Sequence, residues 1–307
     1  MINHDVTVVV VTYNRRTLLE RCLSALANQT TPPTRILVVD NASTDGTRDW
    51  LTGWLPENLP NGLLIKLSEN LGGAAGFSAG LQQAMLVGDS WVWMMDDDAE
   101  PHSDALAKLL ERNPDPTHIY SSCAIAGDSF AWPIAPITHN HSPPLAKPTD
   151  LPILLEVHHT PFLGFFINTK LATKIGLPDA GFFLGRDDVE YCLRARQAGA
   201  KVFLMGNSRI EHPRAIYYPL RLPWRTVHVY QLPPWKRYYI VRNRLFIAKR
   251  YYGWSAYYST VPATLLRLVG VLCNEPSRLL QIKATFAGLI DGLLDRKGRR
   301  HDRWKLD

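Results

Sequence analysis

The stretch Trp91–Asp98, with the sequence WVWMMDDD, joins an apolar run directly to three adjacent carboxylates. The apolar run predicts a buried strand, so the carboxylates would lie at its carboxyl end. Adjacent carboxylates repel one another, and some must be protonated or neutralised by a cation. A hard divalent metal with oxygen ligands is one such neutraliser, and such metals also hold substrate diphosphates. The alternative is a polar loop after a buried strand.

Three similar apolar runs precede this stretch and alternate with helical patterns. The helical face of Leu18, Cys22, Leu23 and Leu26 follows Asn14, which is a candidate N-cap. The predicted strands are Val6–Val11, Arg35–Asp40, Leu63–Leu67 and Ser90–Met95, and the later helices are Arg48–Trp54 and Phe77–Val87. This β-α-β order predicts an α/β fold with a doubly wound, mostly parallel sheet.

A polar cluster follows each predicted strand. The clusters are Thr12-Tyr13-Asn14, Asp40-Asn41, the turn Asn70–Gly76 and the triplet Asp96–Asp98. Ligands of such sheets bind at the carboxyl ends of the strands, so we expect these clusters to converge on one ligand. Asp40 and Asp45 are suited to accept hydrogen bonds from a nucleotide base or ribose, although Asp45 is also explained as a turn former.

The glycine-rich turn Asn70–Gly76 is not a dinucleotide fingerprint. Gly72, Gly73 and Gly76 do not match GxGxxG, and no P-loop lysine follows them. Such a turn before a helix permits close backbone approach and an anion at the helix N-terminus. Close packing of the helix is the other explanation.

A second acidic cluster, Asp187-Asp188-Val189-Glu190, opens a helical pattern. One carboxylate there is explained by the helix dipole, but three are not. Neighbouring carboxylates raise one another's pKa, which suits a general base. His212 follows after a predicted helix and the strand Lys201–Met205, so that path could return it to the same sheet edge. A lone histidine is otherwise usually structural.

Composition limits the class of protein. The 307 residues are 46% hydrophobic, and the four cysteines form no CxxC pair, which favours reduced thiols in a cytosolic protein. Met1–Asp5 lacks the basic region of a signal peptide. We expect no spanning helix, because the nearest candidate, Gly253–Cys273, contains Pro262 and Arg267 and is better explained as buried or interfacial.

The charge is concentrated at one end of the chain. Residues 235–307 contain 15 Lys/Arg and 5 Asp/Glu, a net charge of +10, whereas the whole chain has +6. Aromatic residues such as Trp235, Tyr252 and Trp254 lie among these cations. The combination predicts an anionic partner, either nucleic acid or a lipid surface, and favours an interfacial anchor. The alternatives are a solvated tail, aromatics that cap the core, and an oligomer interface.

Together the motifs resemble those of family 2 inverting glycosyltransferases, which have the GT-A fold. The resemblance covers about residues 5–215. It rests on Val10–Arg15 (VVTYNR), Val38–Gly46, Asn70–Gly73, Met95–Asp98 and Asp187–Glu190. Within the family the pattern is similar to bacterial galactofuranosyltransferases and rhamnosyltransferases of cell-surface polysaccharide assembly. Tyr238–Asn243 (YYIVRN) resembles a segment of rhamnosyltransferase-like members.

The resemblance implies roles for the matching positions. Asp188 would be the base that deprotonates the acceptor hydroxyl, with Asp187 and Glu190 placing the donor sugar and acceptor. Mn²⁺ or Mg²⁺ would be held by Asp96, Asp98 and His212. The donor nucleotide would be held by Thr12, Asn14, Asp40, Asp45, Asn70, Gly73 and Asp97. Arg186 stands where galactofuranosyl relatives often carry an aromatic residue, which puts acceptor stacking in doubt.

The resemblance also implies a function. We expect transfer of galactofuranose from UDP-galactofuranose to a lipid-linked or lipopolysaccharide saccharide in O-antigen or cell-wall assembly. A rhamnosyltransferase that uses dTDP-rhamnose is the alternative within the family. Residues 1–234 would form the catalytic GT-A domain and residues 235–307 a helical region that associates with the inner face of the plasma membrane from the cytoplasm.

Two other classes of protein share part of the pattern. A nucleotidyltransferase would share metal-binding carboxylates and a nucleotide fold, but it would release diphosphate instead of a nucleoside diphosphate. A nucleic-acid-binding protein would explain the basic tail, yet two acidic clusters at strand ends would repel phosphate. We therefore expect no nucleic-acid partner.

Overall fold

The computed structural model describes residues 5–137, 145–222 and 225–306, so Met1–His4 of the predicted N-terminal segment lie outside the described residues. The chain forms two compact units. The first extends to Arg214, except for Ala180–Asp187, and the second consists of that segment and the chain from Ala215 onward. The sequence predicts a boundary between residues 234 and 235, which would separate a catalytic domain from a membrane-associating region. That functional boundary stays a prediction.

The first unit is built on a ten-stranded sheet. Its strands are β1 (Val6–Thr12), β2 (Arg35–Asp40), β3 (Gly62–Lys66), β4 (Trp91–Asp96), β5 (Glu100–Pro101), β6 (Ile119–Ala126), β7 (Ser129–Phe130), β8 (Leu154–Glu156), β9 (Phe165–Asn168) and β10 (Val202–Glu211). Its helices are α1 (Arg16–Ala27), α2 (Thr47–Asn58), α3 (Gly73–Val87), α4 (Ala105–Leu110), α5 (Thr169–Ile175) and α6 (Asp187–Gln197), of which Asp187 itself belongs to the second unit.

The strand order is β3-β2-β1-β4-β9-β6-β10-β5. The pairs β3–β2, β2–β1, β1–β4 and β6–β10 are parallel, whereas β9 runs antiparallel to both of its neighbours. The register pairs Thr12 with Asp40 and Val11 with Asp96. The predicted parallel sheet is confirmed, and the ends of β1, β2 and β4 meet at one edge.

Burial on both faces explains why the central strands are continuously apolar. Val9, Val11 and Met94 pack in one core cluster, while Val8 and Trp93 pack in the cluster on the other face. The register of the helices is less well predicted by the sequence. In α1 the buried face is Leu19, Cys22, Leu23 and Leu26, because Leu18 is only partly buried. Helix α3 begins at Gly73, four residues before the predicted start.

The second unit is a hairpin followed by helices. It contains β11 (Tyr217–Leu222), β12 (Arg225–Tyr230), α7 (Pro234–Ile247), α8 (Gly253–Asn274) and α9 (Arg278–Leu293), with a π-helical turn over Ala248–Tyr252. The aromatic residues of this unit divide into two groups. Tyr238 and Tyr239 are fully buried and pack on Ala284 and Ala287 of α9, whereas Tyr252 and Trp254 are exposed.

The helical run Pro234–Asn274 is the one described helix that is long and apolar enough to cross a membrane. Its most apolar 18-residue window has a mean hydropathy of 1.3, and 28% of that window is buried. The sequence predicted no spanning helix, since Pro262 and Arg267 interrupt the nearest candidate, Gly253–Cys273. A single helix of this composition does not establish a span, because core helices of soluble proteins share it.

Candidate active site

The end of β1 and the loop after β4 are joined by a buried hydrogen bond. Oγ1 of Thr12 donates to Oδ2 of Asp97 over 2.7 Å, and both residues are almost fully buried. The two residues lie 85 positions apart in the sequence. The parallel pairing of β1 with β4 therefore brings two of the predicted nucleotide-binding residues into contact.

Arg15 is a site residue that the sequence analysis missed. Its Nη1 lies 3.2 Å from Oδ1 of Asp97 and 2.9 Å from Oδ2 of Asp98. A guanidinium between two carboxylates neutralises part of the charge that the Asp triplet concentrates. The available signal was its place directly after the polar cluster that ends β1, at the edge where the triplet also lies.

The two carboxyl groups that Arg15 contacts have opposite pKa shifts. Burial raises the pKa of Asp97 to about 6, although Arg15 and Thr12 act against it. Burial also acts to raise the pKa of Asp98, but hydrogen bonding and charge from His212, together with the charge of Arg15, hold it below its ordinary value. Asp98 is therefore the more acidic carboxyl group of the pair and keeps its negative charge to a lower pH.

His212 follows β10 and reaches the same carboxylate. Its Nε2 lies 3.2 Å from Oδ1 of Asp98, while its Nδ1 lies 2.6 Å from the carbonyl oxygen of Pro213. A carbonyl oxygen only accepts, so Nδ1 carries a proton. Nε2 then donates to Asp98 when the ring is protonated, and it offers its lone pair to a cation when the ring is neutral. A histidine fixed in this way is prepared to share a cation with the carboxylate beside it.

The residues predicted to hold a metal are only partly assembled. Asp98 and His212 are adjacent and have fitting donor atoms, oxygen and imidazole nitrogen. Asp96 ends β4, and its carbonyl oxygen accepts a hydrogen bond from the backbone of Ala99. Within the described ranges no group of three or more His, Cys, Asp or Glu side chains is arranged to hold a metal. The chain's own ligand pair thus fits a divalent ion, with other ligands still to be supplied.

Asp40 and Asp45 hold local structure at the end of β2. The fully buried carboxylate of Asp40 contacts Nε of Arg48 at 2.7 Å and accepts from the backbone of Ser43. Asp45 is exposed, and the little burial it has acts to raise its pKa. Its Oδ1 accepts from both the backbone and the hydroxyl of Thr47, and these hydrogen bonds hold the pKa of Asp45 below its ordinary value. The structure thus shows the turn role of Asp45 directly, while its role toward a nucleotide stays a prediction.

Asn14 and Asn70 also form turns. Asn14 is not the N-cap of α1, because the cap position is Arg15 and carries no side-chain cap bond. Instead Asn14 has a left-handed backbone (φ 53°), and its Oδ1 accepts from the backbone of Thr44 over 2.7 Å. Oδ1 of Asn70 accepts from the backbone of Gly72 over 2.9 Å, directly before α3 begins at Gly73.

The glycines of α3 allow the helix to lie against the sheet. A Cβ on Gly76 would overlap Cγ1 of Val11, and a Cβ on Gly80 would overlap Cγ1 of Val9. Close packing thus accounts for Gly76. The backbone at Gly72 and Gly73 still opens α3 at the carboxyl edge of the sheet, where an anion is favoured.

The second acidic cluster opens α6 and its members differ. Glu190 is fully buried and ion-paired with Arg194, whose guanidinium also donates to the carbonyl oxygens of Ile175 and Leu177. This arrangement anchors α6, so Glu190 has a structural role that the sequence analysis did not foresee. Asp188 is only partly buried, and its Oδ1 accepts from the backbone of Val189 over 2.7 Å.

Helix α7 holds the segment that leads into α6. Nδ2 of Asn243 donates to the carbonyl oxygens of Phe182, Leu184 and Gly185 over 2.8 to 3.0 Å. The guanidinium of Arg242 donates to those of Gly181 and Phe182. The segment contains two non-glycine residues in left-handed conformation, Phe183 (φ 62°) and Arg186 (φ 65°), which such hydrogen bonds can stabilise. The YYIVRN motif therefore acts through backbone positioning.

Comparison with known proteins identifies a family and similar sequences. Residues 7–193 match the family model described as glycosyl transferase family 2. The chain is 28% identical over 256 residues to the galactofuranosyltransferase GlfT1 of Mycobacterium tuberculosis H37Rv, covering 79% of this chain and 82% of that protein. It is 37% identical over 105 residues to the GlfT1 of Mycolicibacterium smegmatis, which covers 34% of this chain and 33% of the relative.

Solved structures agree with the fold. The mannosyltransferase PcManGT from Pyrobaculum calidifontis, in complex with GDP-Man and Mn²⁺, has a TM-score of 0.56 at 18% identity and covers 96% of this chain and 89% of its own. GalNAc-T7 with UDP, GalNAc and Mn²⁺ has a TM-score of 0.58 at 17% identity and covers 80% of this chain and 50% of its own. Since the family model matches more than half of the chain, this protein belongs to glycosyl transferase family 2 and is a glycosyltransferase with the GT-A fold.

Proposed function

We propose that this protein is a metal-dependent, inverting galactofuranosyltransferase that takes UDP-galactofuranose as donor and a lipid-linked saccharide as acceptor. The observation that carries the donor choice is the likeness to a protein named galactofuranosyltransferase over 82% of that protein's length. The relatives' names also include a glycosyltransferase of teichuronic acid biosynthesis and a glucosyltransferase named for an undecaprenol-linked substrate, which favours an acceptor of cell-surface glycan assembly.

The mechanism assigns one task to each part of the site. Thr12 and Asp97 form the nucleotide end, where their buried hydrogen bond fixes the edge of the sheet. Asp98 and His212 would hold Mn²⁺ or Mg²⁺, which would stabilise the charge on the leaving nucleoside diphosphate. Arg15 adds positive charge beside the same carboxylates.

Asp188 would take the proton of the acceptor hydroxyl while that oxygen attacks the anomeric carbon. A single displacement with the leaving diphosphate on the opposite face inverts the configuration, so no covalent sugar–enzyme intermediate is required. Asp187, the first residue of α6, would help to place the sugars. Glu190 would support the base through its ion pair with Arg194, which anchors the helix that carries Asp188.

The first experiment measures release of nucleoside diphosphate with Mn²⁺ or Mg²⁺ and a lipid-linked saccharide acceptor. UDP-galactofuranose, UDP-galactopyranose and dTDP-rhamnose are compared as donors. We expect turnover with UDP-galactofuranose that EDTA abolishes. Turnover with dTDP-rhamnose alone would establish the rhamnosyl alternative, and release of inorganic diphosphate would indicate a nucleotidyltransferase.

We also propose that the second unit docks on an anionic membrane surface from the cytoplasmic side. Trp254, Tyr258, Leu265 and Val269 form an exposed stripe at helical spacing on α8. On α9 the residues Leu279, Phe286, Ile290 and Leu293 form a second exposed stripe. The net charge of +10 over residues 235–307 complements anionic lipid, and aromatic residues favour the headgroup region.

Sedimentation with vesicles tests this surface. We expect binding to phosphatidylglycerol vesicles, weak binding to phosphatidylcholine vesicles, and loss of binding in the double variant Trp254→Ser, Tyr258→Ser. Leu86→Ser is the matched control, because Leu86 is an exposed apolar residue of the first unit. Equal binding by the double variant would contradict the proposed surface.

A further inference from the structure

The second unit contains a cavity with an unusual lining. Its volume is about 220 Å³, and its walls come from β12, α7, α8, α9 and the segment before α6. Apolar side chains such as Ile240, Leu268 and Val271 form part of the wall. The remainder carries four arginines, namely Arg186, Arg237, Arg244 and Arg267. The described lining residues include no aspartate or glutamate.

One of these arginines has its charge balanced inside the protein. Nη2 of Arg237 lies 2.6 and 2.7 Å from the two carboxylate oxygens of Glu275, and its Nε donates to Gln281. This buried pair resembles an ordinary structural ion pair. Arg237 is therefore not counted among the groups of this cavity that would meet an anion.

Arg244 lies in the wall of the cavity beside the like charges of Arg186 and Arg267. Burial lowers the pKa of Arg244 well below its usual range, and the charges of Arg186 and Arg267 lower it further. An arginine remains protonated in proteins, so this shift expresses the cost of holding like charges together away from water. An anion in the cavity would offset that cost.

Thr264 supplies an independent observation. It lines the same cavity and is only 3% exposed, yet its Oγ1 is buried and makes no hydrogen bond in the described structure. A buried hydroxyl without a partner is unfavourable by about 1–3 kcal/mol. A ligand oxygen in the cavity would satisfy this hydroxyl and would also meet the guanidinium groups.

We propose that this cavity is a binding site for a phosphate or diphosphate ester, held by Arg244 with Arg186 and Arg267 and by the hydroxyl of Thr264. Guanidinium groups match phosphate oxygens in geometry and charge. The apolar part of the wall suits the group to which the phosphate is attached. The site needs no sugar transfer, so it goes beyond the proposed activity.

Calorimetric titration of the full chain without divalent metal tests the site, with inorganic pyrophosphate as the probe. We expect binding by the wild type that becomes at least about tenfold weaker in Arg244→Gln, because a charge-assisted contact is lost. Arg278→Gln is the matched control, since it removes an exposed arginine of the same unit outside the cavity and should bind like the wild type. Equal affinity in wild type and Arg244→Gln, or no binding by the wild type, would overturn the proposal.

A second variant covers the case in which Arg244→Gln does not fold. Thr264→Val keeps the shape of the side chain and removes only the hydroxyl, so we expect it to fold and to bind pyrophosphate more weakly. Unchanged affinity in this variant would remove Thr264 from the site. In the absence of ligand we expect the Tm of Arg244→Gln to equal or exceed that of the wild type. A lower Tm with unchanged pyrophosphate affinity would show a purely structural guanidinium and would contradict the proposal.

Two further probes distinguish the source of the ligand. The first probe is farnesyl diphosphate in detergent micelles. If it binds at least tenfold more tightly than pyrophosphate, and if Arg244→Gln weakens this binding, the ligand is a lipid-borne diphosphate. Equal affinity for the two would identify a water-soluble phosphate ligand. UDP titrated in parallel reports the nucleotide end of the first unit, and its affinity should not change in Arg244→Gln.

Discussion

Nε2 of His212 lies 3.2 Å from Oδ1 of Asp98, and the opposite ring nitrogen of this histidine is fixed by the carbonyl oxygen of Pro213. His212 follows β10 and Asp98 lies in the loop after β4, and these two strands are not neighbours in the sheet. The fold therefore brings together the carboxylate and the imidazole that we propose as metal ligands.

Loss of this ligand pair should abolish metal-dependent turnover. We expect Asp98→Asn and His212→Gln each to reduce turnover with saturating Mn²⁺ by about 100-fold or more, because loss of a ligand should cost at least as much as the roughly 10–100-fold lost with a group that only supports a ligand. Titration of Mn²⁺ monitored by electron paramagnetic resonance should show weaker binding in both. His102→Gln is the control, because His102 pairs with Glu211 in the same unit. Wild-type Mn²⁺ affinity in either site variant would remove that residue as a ligand.

If Asp188 is the catalytic base, its replacement should slow sugar transfer without weakening donor binding. Asp188→Asn keeps the size of the side chain but cannot accept the acceptor proton, so we expect transfer to fall by about 10²–10⁴-fold. Donor affinity, measured by calorimetry with the nucleotide sugar, should remain close to that of the wild type. Retained transfer would exclude Asp188 as the base.

The raised pKa of Asp97 predicts a stability that depends on pH. Since burial raises the pKa of Asp97 to about 6, the folded state binds this proton more tightly than the unfolded state. The free energy of unfolding should therefore decrease as the pH rises from about 4 to about 6. We expect Asp97→Asn to be more stable than the wild type by about 1–2 kcal/mol at pH 7.5, and to lose this advantage at pH 4.

Urea denaturation at the two pH values measures this difference. The control is Asp104→Asn, an exposed position before α4. An Asp97→Asn variant that is less stable than the wild type at pH 7.5 would mean that the contacts with Thr12 and Arg15 outweigh the burial of the charge.

Replacement of glycine by alanine should have opposite effects on stability at two positions of the first unit. Gly76→Ala forces a methyl group into Val11, so we expect a loss of about 1–3 kcal/mol from overpacking. Gly53→Ala lies within α2 with open space around it, and we expect a gain of about 0.5–1 kcal/mol because alanine favours the helix. Thermal denaturation of both variants under the same conditions compares the two. If Gly76→Ala leaves the stability unchanged, α3 can move away from β1.

Asn243 should act on catalysis only through the backbone that it holds. Asn243→Leu leaves the carbonyl oxygens of Phe182, Leu184 and Gly185 without this donor, and we expect a loss of about 2–3 kcal/mol in stability. Below the melting temperature we expect kcat to fall while KM for the donor stays unchanged, since the segment leads into Asp187 and Asp188.

Asn243→Gln keeps the amide and should restore part of kcat, which a loss of stability alone would not explain. Asn274→Ala is the control, because its amide also donates to a backbone carbonyl, that of Gly270, on the exposed part of α8. Equal loss of donor affinity and kcat in Asn243→Leu would contradict a positioning role.

The amino-acid sequence by itself determined the parallel strands β1 to β4 and the edge at which the polar clusters lie. Continuous apolar runs such as Val6–Val11 and Trp91–Met95 report strands buried on both faces, and the residues that follow them must lie at the carboxyl ends. These properties are local, since they depend on the order of apolar and polar residues within a few positions.

Only the tertiary structure decided which charges meet. Arg15 contacts Asp97 across 82 positions of sequence because β1 pairs with β4, and no local pattern contains that register. The same holds for Asn243, whose amide reaches the carbonyls of a segment about 60 residues earlier. Hydrogen-bond partners of buried polar groups are fixed by how the elements pack, and that packing is a property of the whole fold.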